Sequence, residues 1–473
     1  MKVIVAGYNV DTAILDALAG SKKVVTTPET ISAAYARISR SAKSATALRT
    51  RSRQEVDEAR KSNRTIIFKM GHHSVAEHAV FNFDIIGVSR LALEEIEKFR
   101  LNSYTEKSQR YVGFKGDFAI PDEIKSADFK NEFAKTAELQ IRFYHQLQKT
   151  VDNEDARYSL PLTMKSQLGA TINARSLELM LRRFASHRLA EIRTLGKRLY
   201  QSVARIAPSI ILFSEANDFD RHTYPELRSL VSNFEFRNSN SSGDVELVSY
   251  TPHGDDITVA VLLHTSSRRQ FRDCLNFVAT MAFEKKLEVI KTAFQHLELY
   301  DAVLREFEYV QLVYELRISA AGFAQLKRHR LLTMTAQPYD PNLGITIPGS
   351  VRRAGMDKKF NEIIGRTETI YDKIYRQTPD AAPYILTNSH RRRVLVGVNG
   401  RELYHISRLR EDTEAQWDIR AIAQQMVERA KQVMPLTFLF IGGKDRYPKI
   451  YEEIFGRAPK VVKAELPGAR KID

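Results

Sequence analysis

The sequence has a single cysteine, Cys274, so no intrachain disulfide can form. Cys274 falls outside every motif described below and is expected to act as a buried small hydrophobe. No apolar run approaches the roughly 18 residues that a spanning helix needs, so no membrane is expected as a partner. Residues 1–7 read as a first strand, and Asp11 and Asp16 interrupt any signal-peptide core; a cytoplasmic location is expected. His72, His73 and His78 lack the H-E-x-x-H spacing, and no metal is expected. Gly442, Gly443, Lys444 and Asp445 lack P-loop spacing. There is no Lys/Arg tail either.

What is present is a chain of 473 residues, 43% hydrophobic, with a formal net charge of +15. That is ample for a buried core, and the length suggests two or three domains. The basic excess is diffuse. It suits nucleic acid or small phosphorylated substrates. Its two knots, Arg49-Thr50-Arg51-Ser52-Arg53 and Arg391-Arg392-Arg393, are expected to be solvated runs.

The pattern along the chain repeats. A polar knot at 71–78 precedes an alternating, strand-like run at 80–86. Ser89 is placed to cap a helix over 91–99. Residues 133–150 read as a helix, 168–173 as a strand, and 176–206 as two helices ending near Pro208. Residues 235–245 form the best linker. The order then returns: a strand-like entry at 246–263, a helical stretch, a strand at 308–316, and a helix opened by Ser319. Asn399, Gly400 and Arg401 match Asn173, Ala174 and Arg175. Pro208 lies 35 positions after Asn173, and Pro435 lies 36 after Asn399, so one deletion separates the copies. The chain reads as a tandem duplication, with units at 1–234 and 246–445 and an extension at 446–473. Two diverged copies imply a fused homodimer.

Two stretches carry the chemistry. One is Gln325, Arg328, His329 and Arg330. The other is Lys98, Phe99, Arg100, Ser103, Glu106, Ser108, Arg110. They resemble the signature R-H-R-x-x-S-x-N-x-x-S-x-R of the flavin-dependent thymidylate synthases. The resemblance extends to His72 and Ser74, to Gly87-Val88-Ser89-Arg90, to Ala156-Arg157 with Leu160-Pro161, and to Gln416-Trp417. It implies an α+β fold: two fused copies of an antiparallel sheet with helices, forming a pseudo-dimer. The second copy keeps the head of the signature, and Thr333, Thr335, Pro338 and Asp340 replace its tail. The first copy keeps the tail and has lost the head. Pro383 stands where the first copy has Arg157.

The resemblance assigns roles. Gln325, Arg328, Glu106, Ser108, Arg110 and Arg157 are expected to bind the nucleotide. His72, Ser74, Arg328, His329, Arg330, Asn399, Arg401, His405, Asn173 and Arg175 are expected to hold FAD. Arg410 is expected to polarise the uracil during catalysis, with Arg183 as its first-copy counterpart if the deletion precedes it. A guanidinium fork matches phosphate oxygens, which fits these assignments. Family sites draw head and tail from different subunits, so one composite site per chain is implied. The implied reaction is reductive methylation of dUMP to dTMP with methylenetetrahydrofolate and NADPH. A homodimer (pseudo-tetramer) would rebuild the family assembly, and nucleic acid is not expected as a partner. Two alternatives stay open: a pyrimidine nucleotide hydroxymethylase, and a noncatalytic nucleotide- or RNA-binding descendant.

Overall fold

The computed structural model describes residues 1–20, 24–114, 116–125, 128–236 and 243–461. Two compact units emerge. One comprises Met1–Asn238 with Ile347–Asn388, the other Ser239–Thr346 with Ser389–Asp473. Residues 237–242 of the expected linker and 462–473 of the expected extension lie outside the described residues.

Each unit is built on a four-stranded antiparallel sheet. In the first, β1 (Lys2–Tyr8), β2 (Val80–Ser89), β3 (Ser103–Glu106) and β4 (Lys165–Asn173) lie in the order β1-β2-β4-β3. In the second, β5 (Val245–Tyr250), β6 (Gln311–Ser319), β7 (Thr333–Ala336) and β8 (Arg391–Asn399) lie in the order β5-β6-β8-β7. The two topologies are the same. The fold is α+β, with two fused copies of one antiparallel-sheet unit.

The strands obey the two-residue period. In β4, Ser166, Leu168, Ala170 and Ile172 point inward; in β8, Arg392, Val394, Val396 and Val398 do. The central strands β2 and β6 each end in a serine that caps the next helix. Ser89 Oγ accepts from the Ala92 amide at 3.0 Å, and Ser319 Oγ from the Gly322 amide at 3.0 Å. Their neighbours β4 and β8 end in asparagine caps. Asn173 accepts from the Ser176 amide and Asn399 from the Glu402 amide, both at 2.8 Å. The copies differ at Gly87. Its φ of +75° sits where the β2–β4 register slips, whereas β6 pairs with β8 without a slip. That bulge needs a residue free to enter the left-handed region.

The compact units do not follow the repeats throughout. Residues 347–388 belong to the second repeat by sequence and pack within the first unit. The physical reason is an antiparallel pair of equivalent helices, Lys130–Leu147 and Asp357–Gln377. Phe143 meets Phe360 edge-on at 5.8 Å, Gln140 Nε2 donates to Thr367 Oγ1 at 2.7 Å, and Lys373 pairs with Glu132 at 2.6 Å. Beside them Pro161 bridges Thr387. The amide of Leu162 donates to Leu386 and that of Asn388 to Leu160. Equivalent segments thus pair reciprocally, as an isologous dimer contact would.

Other expectations need correction. The strand-like entry at 246–263 is strand only to Tyr250; Gly254–Thr265 is helix, because a continuous apolar run has no period that separates the two. Arg391–393 is no solvated run. It begins β8, and Arg392 is buried, donating to the Gln337 carbonyl at 2.7 Å and lying over Tyr339 at 4.3 Å. Of the Arg49–53 knot, Arg53 grips the buried Asp11 at 2.6 Å, while Arg51 faces solvent with Glu55. Cys274 is buried, as expected. Among the described residues, no helix is long and apolar enough to cross a membrane.

Candidate active site

The second unit gathers its chemistry where helix Ala320–Leu326 ends. The helix stops at Lys327, and the His329 amide donates back to Leu326 at 3.1 Å. This turn sends alternate side chains opposite ways. His329 is buried, whereas Arg328 and Arg330 are exposed. Helix Gly400–Arg410 lies across it. Arg410 Nε donates to His329 Nε2 at 2.9 Å, and Arg410 Nη1 donates to Gln325 Oε1 at 3.3 Å.

Those contacts fix the protonation of His329. Nε2 accepts, so Nδ1 carries the proton, and it faces Glu402 Oε1 at 3.4 Å. Burial, followed by the charge of Arg410, pushes the His329 pKa down to about 3. The imidazole is therefore a neutral post that aims the Arg410 guanidinium. Burial raises the Glu402 carboxyl and lowers His405. His405 is exposed, with its ring 5.5 Å from that of His329.

At the equivalent place in the first unit the polar pair is gone. Phe99 stands for His329 and packs edge-on against Phe184, at 5.7 Å and 86°. The capping asparagines align the two helices so that Phe184, not Arg183, is the counterpart of Arg410. Arg183 instead pairs with Asp220 at 2.7 Å. The Ser89–Glu191 contact at 2.6 Å and the Ser319–Asp418 contact align the next helices, so the deletion lies between them, in the loop after Ala185. Gly196 lets the next helix pass close to this one: a Cβ there would meet Phe184 Cβ at 2.9 Å.

The first unit keeps the other half of the chemistry. The Ser108 hydroxyl accepts from the Arg110 amide at 3.2 Å. The Arg110 guanidinium contacts Glu154, and Arg157 Nε donates to the Glu154 carbonyl at 3.1 Å. Arg157 is buried, which lowers its pKa from the ordinary value. Its Nη2 has no partner among the described residues. An uncompensated buried donor is costly and fits an acceptor-rich ligand. Glu106 lies 3.8 Å from the buried Arg90. In the second unit Asp340, the counterpart of Arg110, caps a short turn through the Asn342 amide at 2.9 Å.

The remaining expected flavin contacts are spread over both units. The Asn173 and Asn399 oxygens serve as helix caps. Arg401 donates to the Val303 carbonyl at 2.7 Å and to Glu308 at 2.8 Å. Arg175 pairs with Glu77 at 2.5 Å. His72 and Ser74 are exposed in a tight helical turn, with His72 3.4 Å from Arg40. The second unit's cluster of arginines, amides and imidazole, dominated by donors, suits the phosphates and ring carbonyls of a flavin dinucleotide. Glu402 was not singled out from sequence. Its signal is its place three residues after the capping Asn399.

The sequence profile of the family described as thymidylate synthase complementing protein matches twice, over residues 23–209 and 246–436. The chain belongs to the thymidylate synthase complementing protein family. The first match holds β2, β3 and β4 of the first sheet, and the second holds β6, β7 and β8 with β5 from residue 246. A UPF0159 protein of Chlamydia pneumoniae is 24% identical over 429 residues, covering 82% of this chain and 81% of that protein. A flavin-dependent thymidylate synthase of Sulfurisphaera tokodaii is 32% identical over 212 residues, 42% of this chain and 77% of its own length. A solved structure of thymidylate synthase X from Helicobacter pylori, with FAD and dUMP, aligns at a TM-score of 0.34 and 19% identity, covering 47% of this chain and 100% of that one.

Proposed function

We propose that this family member methylates dUMP reductively to dTMP, using FAD, methylenetetrahydrofolate and NADPH, at one working site per chain. The observation that carries the proposal is complementary loss. The second repeat retains the head, with Arg410 braced by His329 and Gln325, and has an aspartate in place of the tail arginine. The first repeat retains Ser108, Arg110 and Arg157 and has an aromatic plug in place of the head. One head and one tail remain, and together they make a single complete set. Independent decay of both repeats would not favour that outcome.

In this reading Arg110, Arg157 and Ser108 hold the nucleotide phosphate, with Glu106 and Gln325 beside the sugar and base. Arg328, His329, Arg330, Asn399, Arg401 and His405 hold the flavin, and Asn173, Arg175, His72 and Ser74 are the first-repeat candidates. FAD, when bound and reduced, supplies the hydride, NADPH recharges it, and the folate supplies the carbon. Arg410 presents a fixed positive charge to the uracil carbonyl edge. Charge that develops there as C5 attacks is stabilised without reorganisation, because His329 and Gln325 already hold the guanidinium. Two such chains are proposed to assemble as a homodimer.

The test is product analysis. Purified protein is incubated with FAD, NADPH, methylenetetrahydrofolate and dUMP, and the nucleotide mass is read. A dTMP product is expected. A hydroxymethylated nucleotide would replace the product assignment, and protein without flavin or turnover would overturn the enzymatic reading.

A further inference from the structure

Asn388 is a buried amide in an apolar position. By the alignment that places Asn399 on Asn173, its counterpart in the first repeat is Leu162, also fully buried. Burying an amide at a leucine position is unfavourable unless its polar atoms are bonded. Asn388 Nδ2 donates twice, to Gln109 Oε1 at 3.0 Å and to the Arg157 carbonyl at 2.9 Å. Both acceptors belong to the phosphate clamp described above. Gln109 lies between Ser108 and Arg110, and Arg157 is the buried arginine.

The cluster is only half satisfied. Asn388 Oδ1, Gln109 Nε2 and Arg157 Nη2 are buried, and none has a partner among the described residues. Asn388, Gln109 and Arg157 are 1%, 6% and 3% exposed. Two orphaned donors belong to residues bonded to the same amide. Buried polar clusters of this kind are completed by a bound group. Nothing comparable exists at Leu162, which has no polar side-chain atom. Asn388 is thus an asymmetric device, contributed by the second repeat to the tail that only the first repeat keeps.

We propose that Asn388 is a positioning residue for the nucleotide phosphate: it ties the Gln109 carboxamide and the Arg157 backbone together so that their open N–H groups meet the phosphate oxygens. The proposal rests on the reading of Arg157 as a phosphate ligand. It adds a residue outside the signature, and it predicts that Asn388 acts through Gln109 and Arg157 and not through the flavin.

The experiment uses the full chain and compares wild type, Asn388→Leu, Asn388→Asp, Arg157→Ala and the Asn388→Leu/Arg157→Ala double variant. Asn388→Leu installs the residue that the first repeat already buries at this position, and Asn388→Asp keeps the shape if the leucine disturbs folding. Both are expected to raise the dUMP KM about tenfold, a loss worth about 1.4 kcal/mol. They are expected to leave kcat within twofold and FAD affinity unchanged. In the Arg157→Ala background, Asn388→Leu should add clearly less than tenfold, because the Arg157 route is already lost and only the Gln109 route remains. An unchanged dUMP KM in both single variants would overturn the proposal. So would a full tenfold effect in the Arg157→Ala background, or an equal fall in FAD affinity. Wild-type protein that binds FAD but no dUMP would remove the nucleotide reading itself. Wild type that binds dUMP, with silent Asn388 variants, would remove only the role of Asn388.

Discussion

Replacing Arg410 with alanine tests the electrostatic core of the proposed mechanism. The guanidinium donates to His329 Nε2 at 2.9 Å and to Gln325 Oε1 at 3.3 Å. Neither brings a compensating negative charge, because burial and Arg410 itself hold the imidazole pKa at about 3, leaving it neutral. These two contacts hold the guanidinium in place for a developing oxyanion. Removing one such preorganised group costs about 10²–10³ in kcat, or about 2.7–4 kcal/mol. Stability should fall by about 1–3 kcal/mol, because His329 Nε2 is left buried without a donor. Single-turnover measurement of flavin oxidation with dUMP and methylenetetrahydrofolate reads the chemical step directly. Arg410→Ala should slow it by that factor while FAD and dUMP still bind, and Arg410→Lys should recover part of it. A rate within fivefold of wild type in Arg410→Ala would refute the role assigned to the charge.

Three further outcomes are expected. Phe184→Ala should destabilise the fold by about 3–5 kcal/mol in denaturant titration and leave kcat at saturating substrate unchanged, because Phe184 fills a core against Phe99. Arg330→Ala should abolish turnover and Arg100→Ala should leave it nearly intact, although the two occupy equivalent places; equal losses would contradict a single working head. Acidification should weaken the fold through His329. Its folded pKa of about 3 lies below the ordinary value, so the unfolded chain binds the extra proton between the two. Stability is then full above about pH 6.5 and falls by about 1.4 kcal/mol per unit toward pH 3. Denaturant midpoints of wild type and His329→Asn across that window check the sign, and the variant should show the shallower slope.

The repeat was legible because its markers are local. Ser89 and Ser319, and Asn173 and Asn399, cap helices at the ends of equivalent strands, so their spacing survives divergence. The signature residues were legible as types. Their partners were not. That His329 is a neutral post between Arg410 and Glu402 depends on helix Gly400–Arg410 crossing the end of helix Ala320–Leu326, a tertiary fact. The counterpart of Arg410 depended on where one residue was lost, and the caps place that loss after Phe184. The packing of residues 347–388 with the first repeat was also invisible, since a helix that pairs with its own copy reads like any amphipathic helix. Arg392 looked like part of a charged run, yet β8 turns it inward onto Tyr339.

Each chain is proposed to have one working head and one working tail, and hence one site. The direct measurement is the number of FAD and dUMP molecules bound per chain, by flavin absorbance against protein concentration and by calorimetric titration of the FAD-loaded protein with dUMP. One of each is expected, with both lost in the Arg330→Ala/Arg110→Ala double variant. Two FAD and two dUMP per chain would contradict it, for the aromatic plug at Phe99 and Phe184 would then not have closed the second site.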